Sequence, residues 1–181
     1  KPAAFEYHDP RTTEEALALL AEFGDEAKAL AGGQSLVPLM NFRLARPARL
    51  VDLNLIAALS YLRVEQDALH IGAMTRQRDL ERSPLVAEGW PLLAEATRYV
   101  GHAQIRNRGT VGGSLAHADP AAELPGIAVA CDGEIRVVGT GGPSGGYPAT
   151  GFCDAAGRWE ASSTGSIAQP TWINWTGGDS L

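Results

Sequence analysis

The chain has 181 residues, 45% apolar and 20% charged, which is enough to bury a core as one domain or two close lobes and too apolar for a disordered chain. Fifteen basic against 21 acidic residues leave a formal charge of −6, the wrong sign for a duplex-binding surface, and no apolar run reaches the roughly 18–20 residues of a membrane span. Nucleic acid and a transmembrane segment are therefore not expected. The opening KPAAFEYHDP has neither an apolar leader core nor an Arg-rich amphipathic arm, which points to the cytoplasm. Cys131 and Cys153 stand apart, without CxxC or Cys/His spacing, and read as buried thiols rather than a zinc or iron–sulfur site.

Phe5 to His8 has short strand character. After it, Leu17, Leu20 and Phe23 recur at helical spacing, with Thr12 and Glu15 as a capping box and Gly24 as the stop. Lys28 to Ala31 forms an apolar strand ended by Gly32-Gly33, a helix resumes near Pro38, and Leu50 to Leu53 is a further strand. Residues 1–55 thus read as a first lobe, β-α-β-α-β, around a small parallel sheet. From Ile56 the pattern changes to a hairpin, Leu62–Val64 and Ala68–Ala73 about Glu65-Gln66-Asp67, opening a second α+β lobe over 56–138. Thr75 to Glu81 predicts a capped short helix and Trp90 to Val100 an amphipathic one. Asp119-Pro120 predicts a helix N-cap pair, Pro125 a kink or break in that helix, and Glu134 to Val138 a closing strand. Residues 139–181 hold ten of the 21 glycines and three of the four tryptophans, so they stand apart as a tail in which GTGGPSGG reads as a flexible connector.

Two glycine pairs carry the chemistry. Gly32-Gly33 and Gly112-Gly113 each sit at an expected turn, followed by a hydroxyl residue directly or after Gln34. A diphosphate needs several amide donors converging without Cβ atoms in the way, which glycine permits; Ser35, Thr110 and Ser114 would add hydroxyl donors. The bland alternative is a pair of tight turns. Neither a GxGxxG opening a βαβ unit nor a GxxxxGK[ST] loop is present, so the cradle belongs to another fold. His117 and Asp119 could form an acid–base pair, but a packing histidine and a helix cap explain them more simply. Arg106 and Arg108 could attract an anion or a partner, or be solvated surface residues.

AGGQSLVPLMNFRL at 31–44 and IRNRGTVGGSLAHADPAAELP at 105–125 resemble the two flavin-binding signatures of the medium, FAD-binding subunit of molybdenum hydroxylases. The resemblance covers about Lys1 to Val138. It implies an α+β, PCMH-type FAD-binding fold of the vanillyl-alcohol-oxidase kind, whose two lobes clasp a diphosphate, here without the family's C-terminal domain. By position it places Ala29, Leu30, Ala31, Gly32, Gly33, Gln34, Ser35 and Leu36 along non-covalent FAD. Thr110, Gly112, Gly113 and Ser114 come from the second signature, with Val100 and Glu123 at further contact positions and no catalytic side chain or metal site. It also implies partners: a large subunit with a molybdenum cofactor and a small iron–sulfur subunit, in a heterotrimer that dimerises. Electrons would pass from the clusters through FAD to an external acceptor. Beyond Val138 the sequence departs from the family, and truncation or a shifted reading frame would account for the tail. The competing expectation is a non-redox nucleotide-binding or assembly module that has lost the flavin.

Overall fold

The computed structural model describes residues 1–119, 121–139, 142–148 and 170–175. The first sheet holds β1 (Glu6–His8), β2 (Ala27–Leu30) and β3 (Arg49–Asp52), all parallel in the order β1-β3-β2, with Tyr7 and Lys28 flanking Leu50 in register. Helix α1 (Thr13–Phe23) links β1 to β2, and α2 (Leu36–Asn41) leads towards β3. Thr12 caps α1 as expected, its hydroxyl accepting from the Glu15 amide at 3.1 Å, while the Glu15 carboxylate accepts from Arg11 rather than from Thr12. Leu20 and Phe23 pack on the buried core of Ala16, Ala27, Val51, Ile56, Leu59 and Met74. Leu19 joins them in place of Leu17, because Ala16 sets the buried stripe.

The second sheet is antiparallel throughout: β4 (Leu62–Glu65), β5 (Ala68–Gly72), β6 (Glu134–Gly139), β7 (Gly142–Pro148) and β8 (Pro170–Trp175), in the order β4-β5-β8-β6-β7. Gln66 and Asp67 both take positive φ, 51° and 63°, as a two-residue hairpin turn demands, so the β4–β5 hairpin stands where the sequence places it. Six helices accompany this sheet: α3 (Gln77–Arg82), α4 (Pro84–Gly89), α5 (Pro91–Tyr99), α6 (Ala103–Arg108), α7 (Val111–His117) and α8 (Glu123–Ala130). Leu69, Ile71, Leu80, Leu93, Leu115 and Leu124 form the centre of its core. Each such side chain, fully withdrawn from water, contributes about 1.5–3 kcal/mol.

Several expectations are corrected. Thr75 does not cap α3; its hydroxyl donates to the Tyr61 carbonyl at 2.8 Å, and Arg76 stands at the cap position without a capping side chain. Asp119 does not cap α8, which starts after Ala122; Asp119 instead accepts from the Ala121 amide, a local turn that competes with capping. Pro125 lies in the first turn of α8, where its missing N–H has no helical acceptor to lose, so it introduces no break. Helices α4, α6 and α7 go beyond the sequence expectation, α7 taking in the Gly112-Gly113 pair expected at a turn. Gly142–Gly146, expected as a connector, belongs to β7, where the β6 partner overrides weak strand propensity. Cys131 is half-buried rather than buried, and Cys153, with most of the expected tail, lies outside the described residues.

Candidate functional site

The end of β2 supplies one wall of a cleft of about 330 Å³. Lys28, Ala29 and Ala31 reach the cleft, while the Leu30 side chain packs beneath Gly33 instead. Gly32, Gly33, Gln34, Ser35 and Leu36 continue the same wall. Three consecutive carbonyls of this loop are tied down: that of Ala31 by Asn54 Nδ2 (2.9 Å), that of Gly32 by Gln34 Nε2 (3.0 Å) and that of Gly33 by the Val37 amide (3.0 Å). In a trans peptide the C=O and the following N–H point in opposite directions. The N–H groups of Gly32, Gly33 and Gln34 are therefore set opposite their tied carbonyls, and none of them donates to another described residue. Gly33 has φ 72°, a left-handed conformation that suits glycine and bends the chain sharply after β2.

The opposite wall is built by pairing residues 73–77 with 109–112. Gly112 donates to Ala73 (2.8 Å), Val111 to Thr75 (3.0 Å) and Gln77 to Gly109 (2.9 Å). Thr110 then caps α7, accepting from the Gly113 amide through its hydroxyl (3.1 Å) and from Ser114 through its carbonyl (3.2 Å). This corrects the expectation of two equivalent amide cradles. Gly112-Gly113 is helical, and every amide from Val111 to Ser114 is already engaged. These glycines serve close approach instead: a Cβ on Gly112 would stand 2.6 Å from that of Ala73, and one on Gly113 3.3 Å from that of Ala31.

The two walls meet directly. A Cβ on Gly32 would run into the carbonyl of Arg108 and stand 2.8 Å from the Cα of Gly109. Of the residues expected at the site, Ala29, Ala31, Gly32, Gly33, Gln34, Ser35, Leu36, Val100, Thr110, Gly112, Gly113 and Ser114 all line this cleft. Leu30 and Glu123 do not: the first faces away, and the second opens α8 just past Ala122, which does line it. His117 and Asp119 are also at the cleft.

Sequence reasoning missed the residues behind the walls. Arg76 Nη1 donates to the Arg108 carbonyl at 2.6 Å and Nη2 to Asn54 Oδ1; Asn54 in turn donates to Asp52, which accepts from the Tyr7 hydroxyl. Burial and the neighbouring Arg108 lower the pKa of the Arg76 guanidinium, while the bond to Asp52 is the main cause that pushes the Tyr7 hydroxyl up to about 12. Gln77 lines the cleft at 4% exposure, and its Oε1, held against Gly109, has no hydrogen-bond partner. Arg106 is corrected from an expected surface or anion-attracting residue. It is 8% exposed, paired with Glu81 (2.9 Å), and donates to the Val100 carbonyl at 3.0 Å, which fixes one corner of the cleft. The Arg106 and Arg78 hydrogen bonds hold the Glu81 carboxyl down at about 2. No local pattern marks these residues; the bonds of Arg76 to Asn54 and Arg108, of Arg106 to Glu81 and of Tyr7 to Asp52 span 22 to 45 positions.

An α+β domain with a glycine-walled, amide-bearing cleft between two sheets defines a class of nucleotide holders, and the comparisons identify which. Residues 3–167 match the family described as FAD binding domain in molybdopterin dehydrogenase, and the chain belongs to that family. It is 50% identical over 135 residues to 6-hydroxypseudooxynicotine dehydrogenase complex subunit alpha of Paenarthrobacter nicotinovorans, covering 75% of this chain and 46% of that protein. It is 44% identical over 151 residues to the carbon monoxide dehydrogenase medium chain of Hydrogenophaga pseudoflava, covering 83% of this chain and 52% of that one. The solved structure of carbon monoxide dehydrogenase from Hydrogenophaga pseudoflava, in a form lacking the Mo-pyranopterin moiety, superposes with a TM-score of 0.88 at 38% identity, over 99% of this chain and 61% of that chain. The chain spans about half the length of these sequence relatives. Among the described residues no helix is long and apolar enough to cross a membrane.

Proposed function

We propose that this chain is the FAD-binding, electron-transferring subunit of a molybdenum hydroxylase complex. The observation that carries the reading is the first loop, whose carbonyls at Ala31, Gly32 and Gly33 are bonded away so that consecutive amides remain to meet phosphate oxygens. The residues present fit such a group. Glycine keeps Cβ atoms out of the approach, and Ser35 adds a hydroxyl at the cleft. Amide dipoles supply the positive potential, so an acidic chain can still hold an anionic dinucleotide.

In this reading the diphosphate lies against Gly32 to Ser35. Ala29, Ala31, Leu36 and Val100 give apolar contact, and Thr110, Gly112, Gly113 and Ser114 form the facing wall, mainly by shape. When bound, FAD supplies the redox chemistry, passing electrons from iron–sulfur clusters of a small subunit, fed by a molybdenum-cofactor large subunit, to an external acceptor. The protein's own part is to bind and orient; no side chain here is asked to move a proton. A dimerised heterotrimer in the cytoplasm belongs to the same proposal.

Purification tests it. A yellow protein with flavin absorption, co-purifying with molybdenum and iron–sulfur subunits, is the expected result. A colourless chain that also fails to take up added FAD would favour a non-redox nucleotide-binding or assembly module. The family match and the retained first cradle favour the flavin reading.

A further inference from the structure

We propose that Arg76 is a positioning residue that sets the anion-facing amides of the first loop by bracing the two walls of the cleft through Asn54. Three observations converge on it. The Arg76 backbone pairs with Thr110, and its neighbour Gln77 donates to Gly109, so the residue is anchored on the second wall. Its guanidinium reaches both ways, to the Arg108 carbonyl at 2.6 Å and to Asn54 Oδ1. Asn54 then donates through Nδ2 to the Ala31 carbonyl at 2.9 Å. That carbonyl shares a peptide plane with the Gly32 N–H, so turning one turns the other.

The brace crosses where the walls touch. Arg108 O, the atom that Arg76 holds, is the atom against which Gly32 packs. One planar fork thus fixes the contact from behind on both sides. A lysine carries the same charge but lacks the two-pronged geometry. Asp52 keeps Asn54 from swinging, accepting from its backbone amide at 2.9 Å and from its side chain.

This proposal rests on the FAD reading for its ligand, and the test separates the two. FAD titration of the full chain is compared for wild type, Arg76→Lys, Asn54→Ala, the double variant and Arg108→Gln. Arg76→Lys is expected to weaken binding at least tenfold despite its retained charge. Arg108→Gln, which removes a neighbouring charge but leaves the carbonyl, is expected to change it less than threefold. The double variant should be no weaker than the worse single one, because both break one unit. Hydrogen exchange on the FAD-free chain reads the brace without ligand: the Val37 amide, bonded to Gly33 O, should exchange about tenfold faster in Arg76→Lys, with β5 amides unchanged. Wild-type-like FAD binding by Arg76→Lys, additive losses, or unaltered Val37 exchange each overturn the proposal. If wild type itself takes up no FAD while Val37 exchange still responds, the FAD reading falls and the brace stands.

Discussion

Gly32 lies flat against the peptide joining Arg108 to Gly109, and no side chain could stand between them. That contact joins a loop of the first sheet to the helix end leading into α7, and so sets the depth of the cleft.

Gly32→Ala is expected to part the walls. Its Cβ would meet backbone on the far side, which cannot swing aside as a side chain can, so an overpacking cost of about 1–3 kcal/mol follows. FAD affinity should fall at least about tenfold, the equivalent of about 1.4 kcal/mol, by flavin fluorescence titration. Unchanged affinity would mean that the cradle does not depend on this contact.

Gly126→Ala should act in the opposite sense. Gly126 lies within α8 with no atom near its missing Cβ and without positive φ. Alanine there removes unfolded-chain freedom without a clash, raising stability by about 0.5–1 kcal/mol. A denaturant midpoint that moves up, with an unchanged slope, is the expected measurement.

The Glu81–Arg106 pair makes stability sensitive to acid. Because hydrogen bonding to Arg106 holds the Glu81 carboxyl at about 2 in the folded chain, against 4.5 when free, its contribution is complete above pH 4.5. It is lost as pH falls from there towards 2. Arg106→Gln should cost about 3 kcal/mol near neutrality, the low end for a buried pair because the Glu81 side chain keeps 15% exposure. It should also flatten the acid limb of a thermal-midpoint profile; an acid limb like that of wild type would exclude this pair as its source.

Tyr7 gives the corresponding alkaline signal. Its hydroxyl donates to Asp52 and is pushed up to about 12 from 10, chiefly by that bond. The bond's contribution is intact below pH 10 and is lost as pH rises from 10 to 12. In a tyrosinate absorbance titration, Tyr7 should ionise late, as should Tyr61, whose pKa burial raises, and Tyr7→Phe should remove the part of the late phase near pH 12. Its effect on stability will be small, since Tyr7 is half exposed.

Much of the fold was legible because its signals are local. The α1 cap needs only Thr12 and its third neighbour, the β4–β5 turn needs only Gln66 and Asp67, and the Gly33 bend needs only a residue that tolerates positive φ. The same holds for the candidate site: twelve of the fourteen residues expected there line one cleft, while Leu30 packs beneath Gly33 instead.

Sequence alone placed a strand before Gly32-Gly33 and a bend that glycine tolerates, since backbone conformation at glycine is a property of a few neighbouring bonds. The orientation of the loop's amides was decided in three dimensions, by Asn54 holding the Ala31 carbonyl from 23 positions away. The role of Gly112-Gly113 was decided only in three dimensions. The same dipeptide could face a ligand or a neighbour, and the Ala73 and Thr75 carbonyls, brought in from the β5–α3 segment, claimed the amides of Gly112 and Val111. Tertiary structure likewise made Arg106 a buried partner of Glu81 and Arg76 a bridge between walls. A guanidinium carries no mark of its partner in its own segment, and the carboxylate or carbonyl that claims it comes from a distant part of the chain.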